Sequence, residues 1–506
     1  MTIVNTSKDK IFVKDKYSGE VIGELPADNM DILREKIKKV YKLEEKMRNT
    51  TLDERIEFIR RVSRRIRLKR QKIKETIARE GGLPIKYADW EVGMISQGYL
   101  HADWRGEMIE ERKIQAIRGE SRAAFHPLGT CGSMTPRNTP FSLTGWAIGA
   151  AWLTGNSHVL KPSSAVPLSP LMLLDLARDV ADDFPIEATE ITVMPGDEAA
   201  TEFVSNPMVS IFLFFGSSHV GKQLLIDYAE YLKSCTRALP FAAGFMNQGK
   251  FKKFIFEMAG NDAGIIFEDV DIDKAANFVV KAALTNSGQQ CFSMKRILVQ
   301  DSIFDDFLDA MVNYTSKLKM GNPLDPTVDI GPLGSEKIML MIDFMVKDAL
   351  NKGGKLLIGG ERQDPFYLPT IIKFDKEQVM DPDENKRPFM WVEEAFGPAR
   401  SVVPFHSEEE AVMLANSTTY GMRASIYSDD LDKANRVARK LETAGVFINT
   451  QPGQVDISFK MGGVKDSGFP PGARDIVNHM VREQFIHVED AFHEKEKAKE
   501  EEEEEE

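Results

Sequence analysis

The stretch "VSIFLFFGSSHVGKQ", Val209 to Gln223, sets an apolar, β-rich run against a glycine and then a helix-forming segment. Six apolar residues in a short run, closed by Gly216, predict a fully buried strand. Strands of that kind belong to parallel sheets covered by helices on both faces. Similar runs lie on either side: "SHVLKP", "ITVMPG" and "KKFIFEMAG", each bounded by Gly or Pro. Helical stretches such as "PLMLLDLARDVADDF" separate them, so the pattern is β-then-α, repeated. A second series follows Gly260, with "RILVQDS", the helix "FDDFLDAMVNYTSKL", "KLLIGG", "ARSVVPF", "RASIYS" and "GVFINT". The fold class is α/β, with two such domains in sequence.

At 506 residues, with 42% apolar and 28% charged, the chain has the composition of a folded globular protein. Cys131, Cys235 and Cys291 are odd in number and widely spaced, which excludes a disulfide framework and a CxxC zinc site. Few cysteines and no apolar leader segment in "MTIVNTSKDKIFVKDK" point to a reducing compartment, the cytoplasm by default. "FSLTGWAIGAAWLTG", from Phe141, is too short and too broken by Ser, Thr and Gly to span a membrane, and predicts a buried helix. Long helical patterns run from about Asp31 to Glu80. Within them "RRVSRRIRLKRQKIK" places Ile59, Val62, Ile66 and Ile73 at helical spacing, so its basic residues form a solvated face and not a nucleic-acid surface. The net charge is −13; the tail Glu494–Glu506, nine Glu and three Lys, carries −6 of it and leaves −7 for the rest. That tail, residues 491–506, cannot bury apolar surface and predicts disorder.

Several residues stand where chemistry is done. Cys291 sits in "TNSGQQCFSMKR", a small polar setting beside Gly288 that suits a reacting thiol better than a core one. Glu257 ends a strand and so projects from the carboxyl edge of its sheet, where open α/β sheets bind ligands. Alone it also fits a surface acid, and Asn138, in "TPRNTPF", also fits a turn residue. Gly216 to Lys222 satisfies GxxxxGK, but Gln223 stands where a phosphate-binding loop needs a Ser or Thr for magnesium. A nucleotide hydrolase is therefore a rival reading. The glycines and the following helix N-terminus still suit a pyrophosphate. No Ser-His-Asp set can be assembled, and no histidine lies close to Cys291 in sequence.

In order, "RNTPF", "VLKPSS", "FFGSSHVGK", "FEMAGND", "NSGQQC", "EEAFGP" and "GGVKDSG" form a succession that resembles the aldehyde dehydrogenase superfamily, from "SGEVIGELP" to about Val488. The spacings, 34 between Glu257 and Cys291 and 23 between Asn138 and Lys161, match that family's usual ones. The resemblance implies two Rossmann-like three-layer α/β domains plus a small β oligomerisation element. Residues 1–108 and 128–259 would form the cofactor-binding domain, 260–450 the catalytic domain, and 109–127 with 475–490 the oligomerisation element of a homodimer or homotetramer. It implies oxidation of an aldehyde to the carboxylate with NAD or NADP and no metal. A catalytically silent relative would show the same motifs. Cys291 would be the nucleophile, Asn138 an oxyanion donor and Glu257 the base that activates water. Lys161, Gly216, Ser217, Glu394 and Phe396 would hold the cofactor. Ser164 stands where NAD-preferring relatives often carry Glu, which implies acceptance of NADP. Gln290 replaces the Arg common in phosphate-binding relatives, which disfavours a phosphorylated substrate. Phe141, Gln290, Phe292 and the region after Thr450 would shape the substrate pocket, for a semialdehyde or a small hydroxy or aliphatic aldehyde. Ser217 and Glu257 stand 40 apart, more than in many relatives, with the extra residues around Cys235.

Overall fold

In the computed structural model, residues 6–7, 10–117, 119–237, 251–452, 460, 462–472 and 475–489 are described. The extra residues after Arg237 and the acidic tail lie largely outside them.

Thr51 starts the Leu52–Leu68 helix with a reciprocal cap, its hydroxyl accepting from the Glu54 N–H while the Glu54 carboxylate accepts from the Thr51 N–H. Ile59, Val62 and Ile66 are buried. Arg60, Arg61, Arg64 and Arg65 on the wet face pair with Asp103, Asp182, Glu57 and Asp179. The basic run is thus engaged with acids of its own chain. It is also broken at Lys69, whose φ of −103° and ψ of 8° leave the helix, so that Ile73 belongs to the next one, Arg70–Gly81.

The first large sheet has the order Gly468–Phe469, Lys253–Glu257, Ile211–Phe215, Cys131–Thr135, His158–Pro162, Thr189–Ile191. All neighbours are parallel except the two-residue strand Gly468–Phe469, which returns from late in the chain to pair antiparallel, Glu257 opposite Gly468. Chain order reverses direction between Cys131–Thr135 and Ile211–Phe215. The carboxyl ends of those two strands therefore flank a topological switch point, the natural crevice of such a sheet. The membrane-like run forms the helix Pro140–Thr154, buried along its whole length against this sheet. No helix among the described residues is long and apolar enough to cross a membrane.

The second sheet runs Lys355–Ile358, Thr370–Lys373, Ala399–Phe405, Met294–Gln300, Asp262–Ile266, Arg423–Tyr427, Gly445–Ile448. It is parallel except for Lys355–Ile358, which pairs antiparallel with Thr370–Lys373. The connection between those two holds only a short hairpin, Arg362–Gln363 with Phe366–Tyr367, too little for a crossover helix. Glu257 ends a strand of the first sheet and Asp262 begins one of the second, so Met258–Asn261 joins the two sheets directly. A third, small antiparallel sheet joins Val481–Val488, Glu120–Pro127 and Arg112–Ile114 and is largely solvent-exposed.

Candidate active site

Between the carboxyl edge of the first sheet and the loop that precedes the Met294–Gln300 strand of the second lies a cavity of about 310 Å³. Asn138, Gly216, Ser217, Glu257, Cys291, Glu394 and Phe396 all line it. These residues span 258 positions in sequence, and only the meeting of the two sheets brings them together. Lys161 and Ser164 stand off this cavity, at the end of the neighbouring strand His158–Pro162.

The segment that carries Cys291 has an unusual backbone. Asn286, Ser287 and Gly288 follow one another at φ of 54°, 54° and 69°, all left-handed. Side chains other than glycine seldom adopt this conformation, and two in succession store strain that the surroundings must hold. They do. The Asn286 side-chain amide donates to the backbone oxygen of Asn138 at 3.0 Å, and the Ser287 hydroxyl to the Gly331 carbonyl at 2.9 Å. Gly288 admits no other residue, because a Cβ there would lie 2.2 Å from the Gly397 carbonyl oxygen.

Cys291 is half-buried, and burial, reinforced by the Glu257 carboxylate, pushes its thiol well above the usual range. The resting sulfur is therefore protonated. Glu257 has one carboxylate oxygen buried without a hydrogen-bond partner. Burial raises its pKa, partly opposed by the Arg423 charge. Such a carboxyl, facing a cavity shared with a thiol, is suited to moving a proton. Asn138 owes its place to the helix that follows it. The buried Glu91 carboxylate accepts from the N–H groups of Phe141 and Ser142, at 3.2 and 3.0 Å, and so caps the N-terminus of Pro140–Thr154.

On the first sheet's side, Gly216 turns the chain into the 20-residue helix Ser218–Arg237. A Cβ at Gly216 would strike the Phe214 ring at 2.3 Å. The exposed Ser217 accepts from the Val220 N–H. This helix N-terminus opens on the cavity and suits an anion. Lys222, which a phosphate-binding loop would turn to its ligand, instead pairs with Asp466 at 2.7 Å, and Gln223 donates to Asp227. The hydrolase reading loses its lysine. Lys161 is buried, its pKa pushed down to about 8 by that burial, with Asp197 opposing the fall. The Ser164 hydroxyl donates to the Met194 carbonyl at 2.8 Å.

A family model described as "Aldehyde dehydrogenase family" matches residues 3–486. The chain belongs to the aldehyde dehydrogenase family. A lactaldehyde dehydrogenase of Methanococcus maripaludis is 30% identical over 478 residues, covering 94% of this chain and 96% of the relative. A 3-sulfolactaldehyde dehydrogenase of Priestia aryabhattai is 28% identical, covering 95% of each. Among solved structures, a glyceraldehyde-3-phosphate dehydrogenase of Methanocaldococcus jannaschii complexed with NADP superposes with a TM-score of 0.84 at 29% identity. It covers 96% of this chain and 100% of that one.

In this aldehyde dehydrogenase, three basic residues near the sulfur escape a reading of the sequence. Lys295 has a fully buried side chain whose ammonium donates to the carbonyls of Gln290 and Cys291, at 2.6 and 2.5 Å, and lies 3.1 Å from Glu394 Oε1. Arg400, also fully buried, donates to the carbonyls of Ala283, Gly397 and Ala399 and to the Ser293 hydroxyl. Arg137 donates to the Gln289 side chain at 2.6 Å. For Lys295 and Arg400 the available signal was a charged residue inside an apolar strand of a sheet covered on both faces, which must find partners indoors.

A second cavity, of about 500 Å³, opens on the other side of the Cys291 segment, with Gln290, Phe292, Gln451 and Pro452 in its wall. Phe141, expected there, is instead fully buried in the hydrophobic core. Its backbone is fixed by the Glu91 cap, and its side chain packs away from both cavities. Residues 453–459 of the region after Thr450 lie outside the described ones.

Proposed function

We propose that this aldehyde dehydrogenase oxidises a small hydroxyaldehyde to its carboxylate with NAD or NADP, through a covalent intermediate on Cys291. The observation that carries this reading is the convergence of Cys291, Glu257 and Asn138 on one cavity with the Gly216–Ser217 helix N-terminus. The Cys291 sulfur attacks the aldehyde carbon, and its proton passes to solvent as the carbonyl π pair moves onto oxygen and the thiohemiacetal forms. The Asn138 amide and the Cys291 N–H donate to the oxygen on which charge develops. A donor so placed contributes about 2.7–4 kcal/mol.

The residues present fit a dinucleotide: a helix N-terminus without Cβ obstruction at Gly216, a buried lysine at Lys161, and Glu394 and Phe396 in the cavity wall. Bound there, a nicotinamide supplies the hydride acceptor that leaves a thioester on Cys291. Glu257 then takes a proton from water, whose oxygen attacks the thioester carbon and releases the acid and the thiol. With this carboxylate in place, water and not coenzyme A is the acyl acceptor. Ser164 puts no carboxylate beside the adenosine ribose, so a 2′-phosphate meets no like charge, and NADP is accepted. The relatives named for lactaldehyde and 3-sulfolactaldehyde support a hydroxyaldehyde over a simple aliphatic one. The cofactor-binding role falls to residues 1–108 and 128–259, which hold the parallel strands of the first sheet, and the catalytic role to 260–450. The exposed edges of the small sheet suit pairing with a second copy.

The deciding measurement is NADPH or NADH formation with a panel of aldehydes, for wild type and Cys291→Ala. Wild type should oxidise hydroxyaldehydes and the variant none. A wild type inactive on the whole panel, or a fully active variant, would defeat the proposal.

A further inference from the structure

The larger cavity is lined by a buried phenol that only one side chain among the described residues, that of Gln290, approaches for a hydrogen bond. Tyr87, on the Ile85–Leu100 helix, is 6% exposed, and its hydroxyl is buried without a well-formed hydrogen bond. The Gln290 side chain is within hydrogen-bonding reach of it, Cys291 and Glu91 act on it electrostatically, and burial raises its pKa so far that the phenol stays a neutral donor. The ring is fixed by stacking on Trp90, with centroids 5.0 Å apart and planes 20° from parallel. Both aromatic residues line the cavity, as do Gln290 and Phe292 on either side of the nucleophile. An unsatisfied buried hydroxyl is costly. A rigid one, in the wall of a cavity beside the Cys291 segment and shared with Gln290, is suited to a polar group of the ligand.

The position of the sulfur limits what that partner can be. With the aldehyde carbon on Cys291, a group reached by the neighbour of Gln290 belongs to the next carbon of the substrate. Lys86, the cation in the wall adjacent to Tyr87 in sequence, is already paired with Asp329 at 2.5 Å, and Lys281 is exposed. The inner wall is thus matched to an uncharged polar group, and the chemistry is that of a 2-hydroxyl. We propose that Tyr87 donates a hydrogen bond to the hydroxyl on the carbon next to the aldehyde, with the Gln290 carboxamide able to accept that hydroxyl's own proton. Tyr87 thereby selects 2-hydroxyaldehydes over their unsubstituted counterparts. This inference rests on the aldehyde oxidation proposed above.

The test compares kcat/KM for 2-hydroxypropanal and for propanal, in wild type and in Tyr87→Phe. The replacement keeps the ring, its stacking and its volume, so melting temperature should not fall. Loss of one neutral hydrogen bond should lower kcat/KM for 2-hydroxypropanal about tenfold. The value for propanal should stay within about twofold, since propanal never made the bond. An equal fall for both aldehydes would show that Tyr87 only props Gln290, and an unchanged ratio would show that it touches no substrate. Either overturns the inference while leaving the proposed reaction intact. A wild type that oxidises neither aldehyde would overturn the reaction and this inference with it.

Discussion

Lys295→Met isolates what the buried ammonium does beneath the nucleophile. Methionine is close to lysine in length and bulk, so the change removes charge and donors while opening little cavity. It leaves the Gln290 and Cys291 carbonyls without their donor and Glu394 without its ion pair. Removing one partner of a buried pair costs about 3–5 kcal/mol. Unfolding entropy of about 2.1 cal/mol/K per residue makes about 1 kcal/mol/K for a chain of this length, so melting should fall by about 3–5 °C.

The thiol responds too. Glu257, Glu394 and Asp262 all raise its pKa, and Lys295 opposes them. A unit charge removed from about 6 Å, at an effective dielectric near 20, changes thiol ionisation by about 3 kcal/mol. Alkylation of Cys291 by iodoacetamide at mildly alkaline pH should therefore slow at least tenfold. The pH dependence has a definite sign. Burial holds Asp262 up at about 7, against about 3.9 in an unfolded chain, with Lys295 pulling it down. The stability that belongs to the protonated Asp262 is thus present at low pH and lost as pH rises through 7. Without Lys295, ionising Asp262 costs more. The variant's deficit should be smallest below pH 7, where both proteins keep that proton, and should grow above it. A melting deficit equal at about pH 6 and about pH 8.5, with unchanged alkylation, would refute the electrostatic account of this site.

In Glu257→Gln the first burst of NAD(P)H should survive while steady turnover falls by about 10²–10⁴, because only thioester hydrolysis needs the base; a lost burst would contradict that role. Since burial raises the Glu257 pKa, steady turnover of wild type should decline as pH falls through that raised value, and this limb should vanish in the Gln variant. Ser164→Glu should lower kcat/KM with NADP at least tenfold while sparing NAD, through like-charge repulsion of the 2′-phosphate, as read from the two cofactors in parallel assays. Gly288→Ala, which drives a methyl to 2.2 Å from the Gly397 carbonyl oxygen, should displace the nucleophile, cost at least about 100-fold in kcat and lower the melting temperature.

The strands and helices were legible wherever an apolar run met a Gly or Pro boundary, as in "VSIFLFFG" and "ARSVVPF". Strand direction was not. "KLLIGG" looks like its parallel neighbours, and only the short hairpin after it makes it antiparallel. Gly468–Phe469 is too short to carry a pattern at all, yet it pairs directly with the strand that ends in Glu257. In the site, Glu257 and Gly216 became legible through the order and spacing of the motifs, because a carboxylate at a strand end alone also fits a surface acid. Lys295 and Arg400 did not, since a basic residue inside a strand looks like a wet face until the sheet is seen to be covered on both sides. Phe141 misled for the opposite reason. The family resemblance put it in the pocket, but a helix turns successive side chains by about 100°, and this one turns into the core.

The anchoring around Cys291 also says where the proposed catalytic power lies. Many reactive thiols are kept as thiolates by a neighbouring cation or helix N-terminus. Here Lys295 spends its donors on two carbonyls and a carboxylate, and three acids act against ionisation. The resting thiol is neutral and thus a weak nucleophile, slow to react with a chance electrophile. What the fold fixes instead is position. Three left-handed residues are locked by Asn286 to Asn138, by Ser287 to the Gly331 carbonyl and by Arg400 to the Gly288 carbonyl. The same hydrogen bond that places the sulfur places the backbone of the proposed oxyanion donor. Nucleophile and oxyanion donor are thus one rigid unit spanning both sheets, and loosening either end should impair attack on the aldehyde without changing the thiol's pKa.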